Sequence, residues 1–327
     1  MPRSNSFGAT LASFLTISWL CIGALSQSSP PATFLRDGLQ NMAGTTIAKR
    51  VDEVNLAFTV TDKKGRLINH LTSDDFEILD NHIAPQGVNF FQQQTDLPLR
   101  VAVLVDASDS ILYRFDYEKI AALMFLKRIL RRGKDQAFVV SFNDRVRIAQ
   151  DTTDDSKELS TSIKRMHAGG NTSLYDAIIF AANKLRNNPP QIRRAIILIS
   201  DGDDTSSKSH LFDAQQAAIQ AEVTLFALST NEFPGPGKSA GDLVLNRLTE
   251  TTGGVVLPAR DESHLGQAFH KVDQILRNQY AVAYRPARFI PDGSFRSVEL
   301  FSLRKGLKVQ CRRGYYARQE YSTFPGR

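Results

Sequence analysis

Three short stretches of the chain concentrate small hydroxyls and carboxylates: Asp106-Ala-Ser108-Asp-Ser110, Gly169-Gly-Asn-Thr172-Ser and Ser200-Asp201-Gly-Asp203-Asp204. Oxygens of these kinds suit a hard cation. Magnesium takes six of them in a near-ideal octahedron and keeps several as water. Ser108, Ser110 and Thr172 offer neutral oxygens, while Asp106 and Asp201 offer charge, directly or through water. A cation held largely by neutral donors stays electrophilic, so it attracts one more anionic oxygen from outside. That chemistry grips an Asp or Glu of a partner. A local reading competes, in which Asp106 and Asp201 cap helices and the hydroxyls satisfy nearby backbone N–H groups. It requires capping acids in several loops at once. Asp109, Asp203 and Asp204 are expected in supporting or solvated positions. Asp176, one turn after Thr172, is expected to favour a helix N-terminus electrostatically.

The surrounding pattern says what must hold these loops. Val101–Val105 and Ala195–Ile199 are short, continuously apolar and rich in β-branched residues, as in strands buried on both faces. Each runs straight into one of the polar loops. Between and after them the pattern alternates: helix over 115–132, strand over 137–142 with a short return at 146–148, helices over 155–166 and 173–186. Past the third loop come a helix at 210–221, a strand at 223–228, a helix at 241–251, a short strand at 255–257 and a helix at 262–278. This predicts an α/β fold, a doubly wound, mostly parallel, Rossmann-like sheet over residues 97–278, whose ligand site lies at the carboxyl ends of the strands near a switch in strand order. Period-two runs at 54–60, 76–79 and 88–91 predict a small β-rich segment over 51–95. Similar runs predict another over 279–317, which could pack with the first, before a tail at 318–327.

At Asp106, Ser108, Ser110, Thr172 and Asp201 the sequence resembles the metal-ion-dependent adhesion site (MIDAS) of von Willebrand factor A (VWA) domains: Asp-x-Ser-x-Ser, a Thr on a second loop, an Asp on a third. The surrounding segments, from Gly169 to Ala177 and from Ile199 to Asp204, look like the VWFA-related proteins of acidobacterial type. Phe58-Thr-Val-Thr-Asp62, Asp74-Asp-Phe-Glu77 and Arg312-Arg-Gly-Tyr-Tyr316 resemble the ends of that family's members. The resemblance covers roughly residues 51–317. It implies a VWA fold and a magnesium or manganese site that captures a protein or envelope ligand presenting an Asp or Glu carboxylate.

Rival chemistries find less support. Gly235-Pro-Gly-Lys238-Ser239 looks like a phosphate-binding loop, but Glu232 stands where the first Gly is required and Pro236 removes a cradling N–H. The six histidines show no zinc-type spacing, and His167 reads as an ordinary loop residue. There is no Gly-x-Ser-x-Gly elbow and no obvious general base, so a metal-assisted hydrolase remains an alternative and a non-enzymatic module the expectation. A structural envelope module with an empty metal site is the third class.

The net charge of +6 is carried by scattered side chains, with small clusters at Arg128–Lys134 and Arg304–Arg313, which points to solvated faces, with an anionic surface such as envelope polymer as the alternative, and away from nucleic acid. Residues 1–26 read as a cleaved signal peptide: Arg3, an apolar run from Leu11 to Leu25, then Ala24-Leu25-Ser26. An uncleaved anchor is the alternative, but the run is short for a span of about 20 residues and Thr16 and Ser18 interrupt it. Residues 27–50, with Pro30-Pro31, read as a linker. Cys21 would leave with the leader, so Cys311 would have no intrachain partner in an exported chain, periplasmic or extracellular. Trp19 and Leu20 argue against lipidation at Cys21. The exported protein should begin near Gln27 or Ser28. N-terminal sequencing of secreted material checks this, and a start at Met1 would favour the anchor.

Overall fold

The computed structural model describes residues 48–51, 53–188, 191–231, 239–318 and 320–323. The expected leader, nearly all of the linker, and residues 232–238 of the phosphate-loop look-alike lie outside them. The chain divides into two units, Met1–Ala48 with Thr323–Arg327, and the compact Lys49–Ser322.

The larger unit contains nearly all of the described elements. The chain enters it through strands β1 (Ala48–Val51), β2 (Val54–Thr61), β3 (Phe76–Asp80) and β4 (Gly87–Gln94). The alternating middle is β5 (Leu99–Asp106), α1 (Phe115–Ile129), β6 (Gln136–Phe142), β7 (Val146–Thr153), α2 (Ser156–Lys164) and α3 (Leu174–Arg186). It continues through β8 (Arg193–Ser200), α4 (Leu211–Gln220), β9 (Thr224–Ser229), α5 (Ala240–Thr252), β10 (Val256–Pro258) and α6 (Glu262–Arg277). Five strands close the chain: β11 (Gln279–Arg285), β12 (Phe295–Ser302), β13 (Lys308–Cys311), β14 (Gly314–Tyr316) and β15 (Glu320–Thr323). β1 and β15 pair as a two-stranded sheet.

The central sheet has the order β10-β9-β8-β5-β6-β7, parallel except for β7. From β5 the chain moves outward to β6 and β7, then returns to β8 on the other side. Strand order therefore switches between β5 and β8, and their carboxyl ends open the crevice where such sheets hold ligands. Alternate residues of β5 supply two cores. Val101, Val103 and Val105 pack with Phe125, Phe269 and Leu276 of α1 and α6. Ala102 and Leu104 pack with Leu174, Ile178 and Ala181 of α3 and with Ala214 and Ala218 of α4. The alanines let these helices approach the sheet closely.

Helix α1 stops at Ile129, short of the expected Arg132, because Leu130 turns extended and the next residue is drawn elsewhere. Arg131 Nε and Arg277 Nη2 both donate to Asp135 Oδ2, at 2.8 and 2.7 Å, and Leu99 N–H donates to Asp135 Oδ1 at 2.9 Å. This buried carboxylate ties the start of β5 to the ends of α1 and α6. Ile120, whose spacing matches the apolar stripe of α1, is half exposed. The return strand expected at 146–148 runs on to Thr153.

The flanking strands form two small antiparallel sheets, β13-β2-β11-β4 and β14-β12-β3. They share a core of Leu56, Phe58, Ile78, Val282, Val298 and Leu300, so the two β-rich ends of the chain pack together. β11 follows α6 almost directly and lies between β2 and β4. Tyr284 and Tyr315 both donate their hydroxyls to buried Asp80 Oδ2, at 2.8 and 2.9 Å, pinning β11 and β14 to β3. Among the described residues no helix is long and apolar enough to cross a membrane.

Burial alone would raise the Asp135 carboxyl, but the hydrogen bonds from Arg131 and Arg277 outweigh it and hold the pKa at about 2. A folded-state value below the unfolded one stabilises the protein above pH 4, and that contribution is lost as pH falls through about 2. The depression from 3.8 to about 2 corresponds to about 2 kcal/mol. Urea melts of wild type and Asp135→Asn should therefore differ at pH 6, and the difference should shrink by about 2 kcal/mol on going to pH 2. A constant difference would show that the ion cluster contributes no pH-dependent stability.

Candidate functional site

β5 delivers Asp106 to the carboxyl edge of the sheet with its side chain fully buried. One carboxylate oxygen accepts from Ser108 N–H at 3.0 Å and the other from Ser200 Oγ at 2.7 Å. Burial pushes its pKa up to about 6 against the pull of those hydrogen bonds, and the nearby Asp201 charge adds to the rise. From Ser108 a run of oxygens leads outward. Ser108 Oγ lies 3.1 Å from Ser110 Oγ, and Ser110 Oγ donates to Asp201 Oδ2 at 3.1 Å. Ser108 is buried and Ser110 exposed, so the run reaches solvent.

Asp201 sits where β8 gives way to a tight loop. Gly202 has φ +89°, and a Cβ there would lie 2.4 Å from Gly241 O. A Cβ on Gly241 would in turn lie 2.1 Å from Asp201 O. Two glycines thus let the start of α5 press against the loop. Asn231, beyond the end of β9, donates Nδ2 to Asp201 O at 2.8 Å and fixes the same backbone from the other side.

The Thr172 loop is laced to the first loop through the backbone. Gly169 N–H donates to Ala107 O and Asp109 N–H to Gly170 O, both at 2.8 Å. Thr172 is buried; its N–H donates to Thr205 Oγ1 at 2.8 Å and its carbonyl accepts from Thr205 and Ser206 N–H. Its hydroxyl takes part in none of the hydrogen bonds among described residues. Asp106, Ser108, Ser110 and Asp201 are therefore joined side chain to side chain or through one backbone N–H. Thr172 is brought alongside by its loop.

The other acids have separate tasks. Asp204 Oδ1 accepts from Leu174 N–H at 2.8 Å and so caps α3. The sequence predicts that Asp176 acts on the helix N-terminus as a charge. Its carboxylate instead accepts from Lys208 and Ser209 N–H at 2.9 and 3.1 Å, which outweighs burial and lowers its pKa. The carboxylates of Asp109 and Asp203 join no hydrogen bond among described residues. Burial, then the Asp201 charge, raises the Asp203 carboxyl. Each of Asp106 and Asp201 accepts a backbone N–H two residues on, from Ser108 at 3.0 Å and Asp203 at 3.1 Å, and each also binds a serine of another segment, Ser200 and Ser110 respectively. His167 is exposed.

A cavity of about 220 Å³ adjoins the run of oxygens, lined by Ser110, Arg114, Asp201, Thr230 and Asn231 with Ile111 and Tyr113. Tyr113 (75% exposed) and Leu112 (56%) stand out beside it as an apolar rim. Ser200, Thr230 and Asn231 are not singled out by the sequence pattern. The rule that finds Asp106 and Asp201, polar residues just beyond a buried strand, applies equally to the end of β9 and would have found the last two. Among the described residues no group of three or more His, Cys, Asp and Glu is placed to hold a metal ion. Any cation here would depend on the hydroxyls.

The family model for the von Willebrand factor type A domain matches residues 101–203. Among solved structures, the von Willebrand factor type A protein from Catenulispora acidiphila is 15% identical, with a TM-score of 0.47, covering 77% of this chain and 74% of its own. BatB from Bacteroides thetaiotaomicron is 16% identical, with a TM-score of 0.44, covering 54% and 98%. The vWF domain of the type V pili tip protein Mfa5 from Porphyromonas gingivalis is 13% identical, with a TM-score of 0.45, covering 54% and 94%. Comparison with curated proteins gives no match. Residues 101–203, which run from the first buried strand of the parallel sheet to the loop bearing Asp201, are thus the part of the chain that matches the von Willebrand factor type A domain.

Proposed function

We propose that this chain is a binding module that captures an acidic partner through a magnesium or manganese ion at the carboxyl end of the sheet. The observation that carries the reading is the run from buried Asp106 through Ser108 and Ser110 to Asp201, which reaches solvent at Ser110. The donor set fits a hard cation. Ser108 Oγ, Ser110 Oγ and Thr172 Oγ1 would serve as neutral ligands, and Asp201 and Asp106 as charged ones, directly or through water. A cation would also relieve the repulsion that helps lift the Asp106 carboxyl.

When bound, the ion would supply an electrophilic position for one external carboxylate oxygen. This chain's residues do the rest. The Asp106–Ser200 hydrogen bond holds two strand ends together, Gly202 and Gly241 set the Asp201 backbone, and Asp204 holds the start of α3 beside Thr172. The ion selects only for a carboxylate. Leu112, Tyr113 and the adjoining cavity would select among its bearers. In this reading the module is exported and not an enzyme.

The test is thermal melting in EDTA and in excess Mg²⁺. A ligand that binds only the native state at 100 times its dissociation constant stabilises by about 2.7 kcal/mol, and each kcal/mol moves the melting temperature of a domain this size by roughly 2–4 °C. The wild type should rise by about 5–10 °C with Mg²⁺. Asp201→Asn should melt higher than wild type in EDTA, because one repelling charge is gone, and should lose most of the rise. A wild type indifferent to Mg²⁺ and Mn²⁺ would overturn the reading.

Thr172→Ala probes the ligand whose hydroxyl the fold does not use. It should weaken capture of the partner from an envelope extract more than it lowers stability in EDTA. Capture undiminished by excess EDTA would exclude a metal bridge.

A further inference from the structure

Glu118 lies in the first turn of α1, between the exposed Asp116 and the partly covered Lys119. It is nevertheless 0% exposed, and neither carboxyl oxygen has a hydrogen-bond partner among the described residues. The Thr230 hydroxyl beside it is also buried and, Glu118 apart, has no hydrogen-bond partner among the described residues. Thr230 is held from the other side, where Arg114 Nη1 donates to its carbonyl. Burial first, then the charge of Asp106, drives the Glu118 carboxyl well above the ordinary range; Asp201 adds to the rise, while the Thr230 hydroxyl and the Arg114 charge oppose it. Thr230, Ser110 and Asp201 line the same cavity. Glu118 is therefore buried next to Thr230, one of the residues that line this cavity with Ser110 and Asp201.

A carboxyl buried without a partner is costly, and two further carboxylates nearby make it more so. An apolar side chain at this helix position would avoid the penalty. A buried polar group left unsatisfied by protein atoms calls for a specific explanation. Its neighbours supply one, because a cation at Asp106, Ser108, Ser110 and Asp201 would polarise its waters, whose protons need acceptors. A bound cation favours loss of the Glu118 proton to solvent, and the carboxylate left is an acceptor only, with two oxygens to offer in the strong, charged kind of bond.

We propose that Glu118 is a further residue of the cation site, acting from the buried side through a metal-bound water that the Thr230 hydroxyl also holds. This rests on the cation reading above. Water is required because Asp106, Asp201 and Glu118 are not placed to grip one ion together directly. Acting through water, Glu118 adds negative charge without occupying the outward position left for a partner's carboxylate.

Calorimetric titration of the full chain with MgCl₂, and separately with MnCl₂, tests this. Removing a group that orients a metal's ligands typically costs 10–100-fold in affinity. Glu118→Gln should bind each ion on the order of 10-fold more weakly, Thr230→Val more weakly by a smaller factor, and Asp201→Asn hardly at all. Melting in EDTA supplies a second readout: Glu118→Gln should melt at or above wild type, since a buried carboxyl is gone. A merely structural glutamate would give a lower melting temperature with unchanged affinity, and that result overturns the proposal. Should Glu118→Gln fail to fold, Thr230→Val decides, and unchanged affinity there overturns it equally. If the wild type binds neither ion, the cation reading itself falls, an outcome distinct from a wild type that binds and a Glu118 variant that binds equally well.

Discussion

The two hydrogen bonds that Asp106 accepts, from Ser108 N–H and Ser200 Oγ, join the carboxyl ends of β5 and β8 at the one place where strand order reverses. A carboxylate at the end of a strand covered on both faces is largely cut off from water, so these donors must be supplied by the fold. Supplying them fixes the spacing of both loops. Ser108 brings Ser110 with it, β8 brings Asp201, and the backbone bonds between Gly169 and Ala107 and between Asp109 and Gly170 add the Thr172 loop. The site's shape is thus a consequence of how one buried charge is satisfied. The helices are arranged to serve this: α3 starts under Asp204, and α5 carries Gly241 in its first turn, which lets it touch the Asp201 backbone.

A second charge performs a comparable service at the opposite, amino end of the strands. Asp135 collects Arg131, Arg277 and the Leu99 N–H, so the entry to β5 and the ends of α1 and α6 are set together. α6 then passes almost directly into β11, the strand that β2 and β4 share. The parallel sheet and the flanking antiparallel sheets are consequently continuous in backbone as well as adjacent in sequence.

Much of this is legible in the residues. Val101–Val105 and Ala195–Ile199 carry their burial in composition, and the polar loops after them can be placed at one edge of a sheet by the rule for open α/β folds. The strand β2 shows its alternation plainly. Less legible is anything decided by a distant residue. Helix α1 looks as if it should run to Arg132, and only Asp135 explains why Arg131 leaves it. Ile120 has the spacing of a core residue but no neighbouring element covers it. Glu118 shows the opposite: among Asp116, Lys119 and Lys127 it looks like a solvated helix position, and the fold buries it completely. Thr230 and Asn231 also follow a buried strand, so the same rule reaches them.

The position of β11 also bears on how such a chain acquires its structure. A ribosome completes β2, β3 and β4 long before residues 279–285 exist, yet β2 and β4 do not pair with each other. Each waits for a neighbour that arrives only after the whole parallel sheet has been made. Until then their open edges, and aromatic side chains such as Phe58 and Phe91, are available to other chains. The native contacts that close these sheets are among the longest in sequence separation in the molecule, a topology associated with slow folding. The α/β core can form around β5 in the order in which it is synthesised, whereas the sheets beside it can close only when the chain is nearly complete.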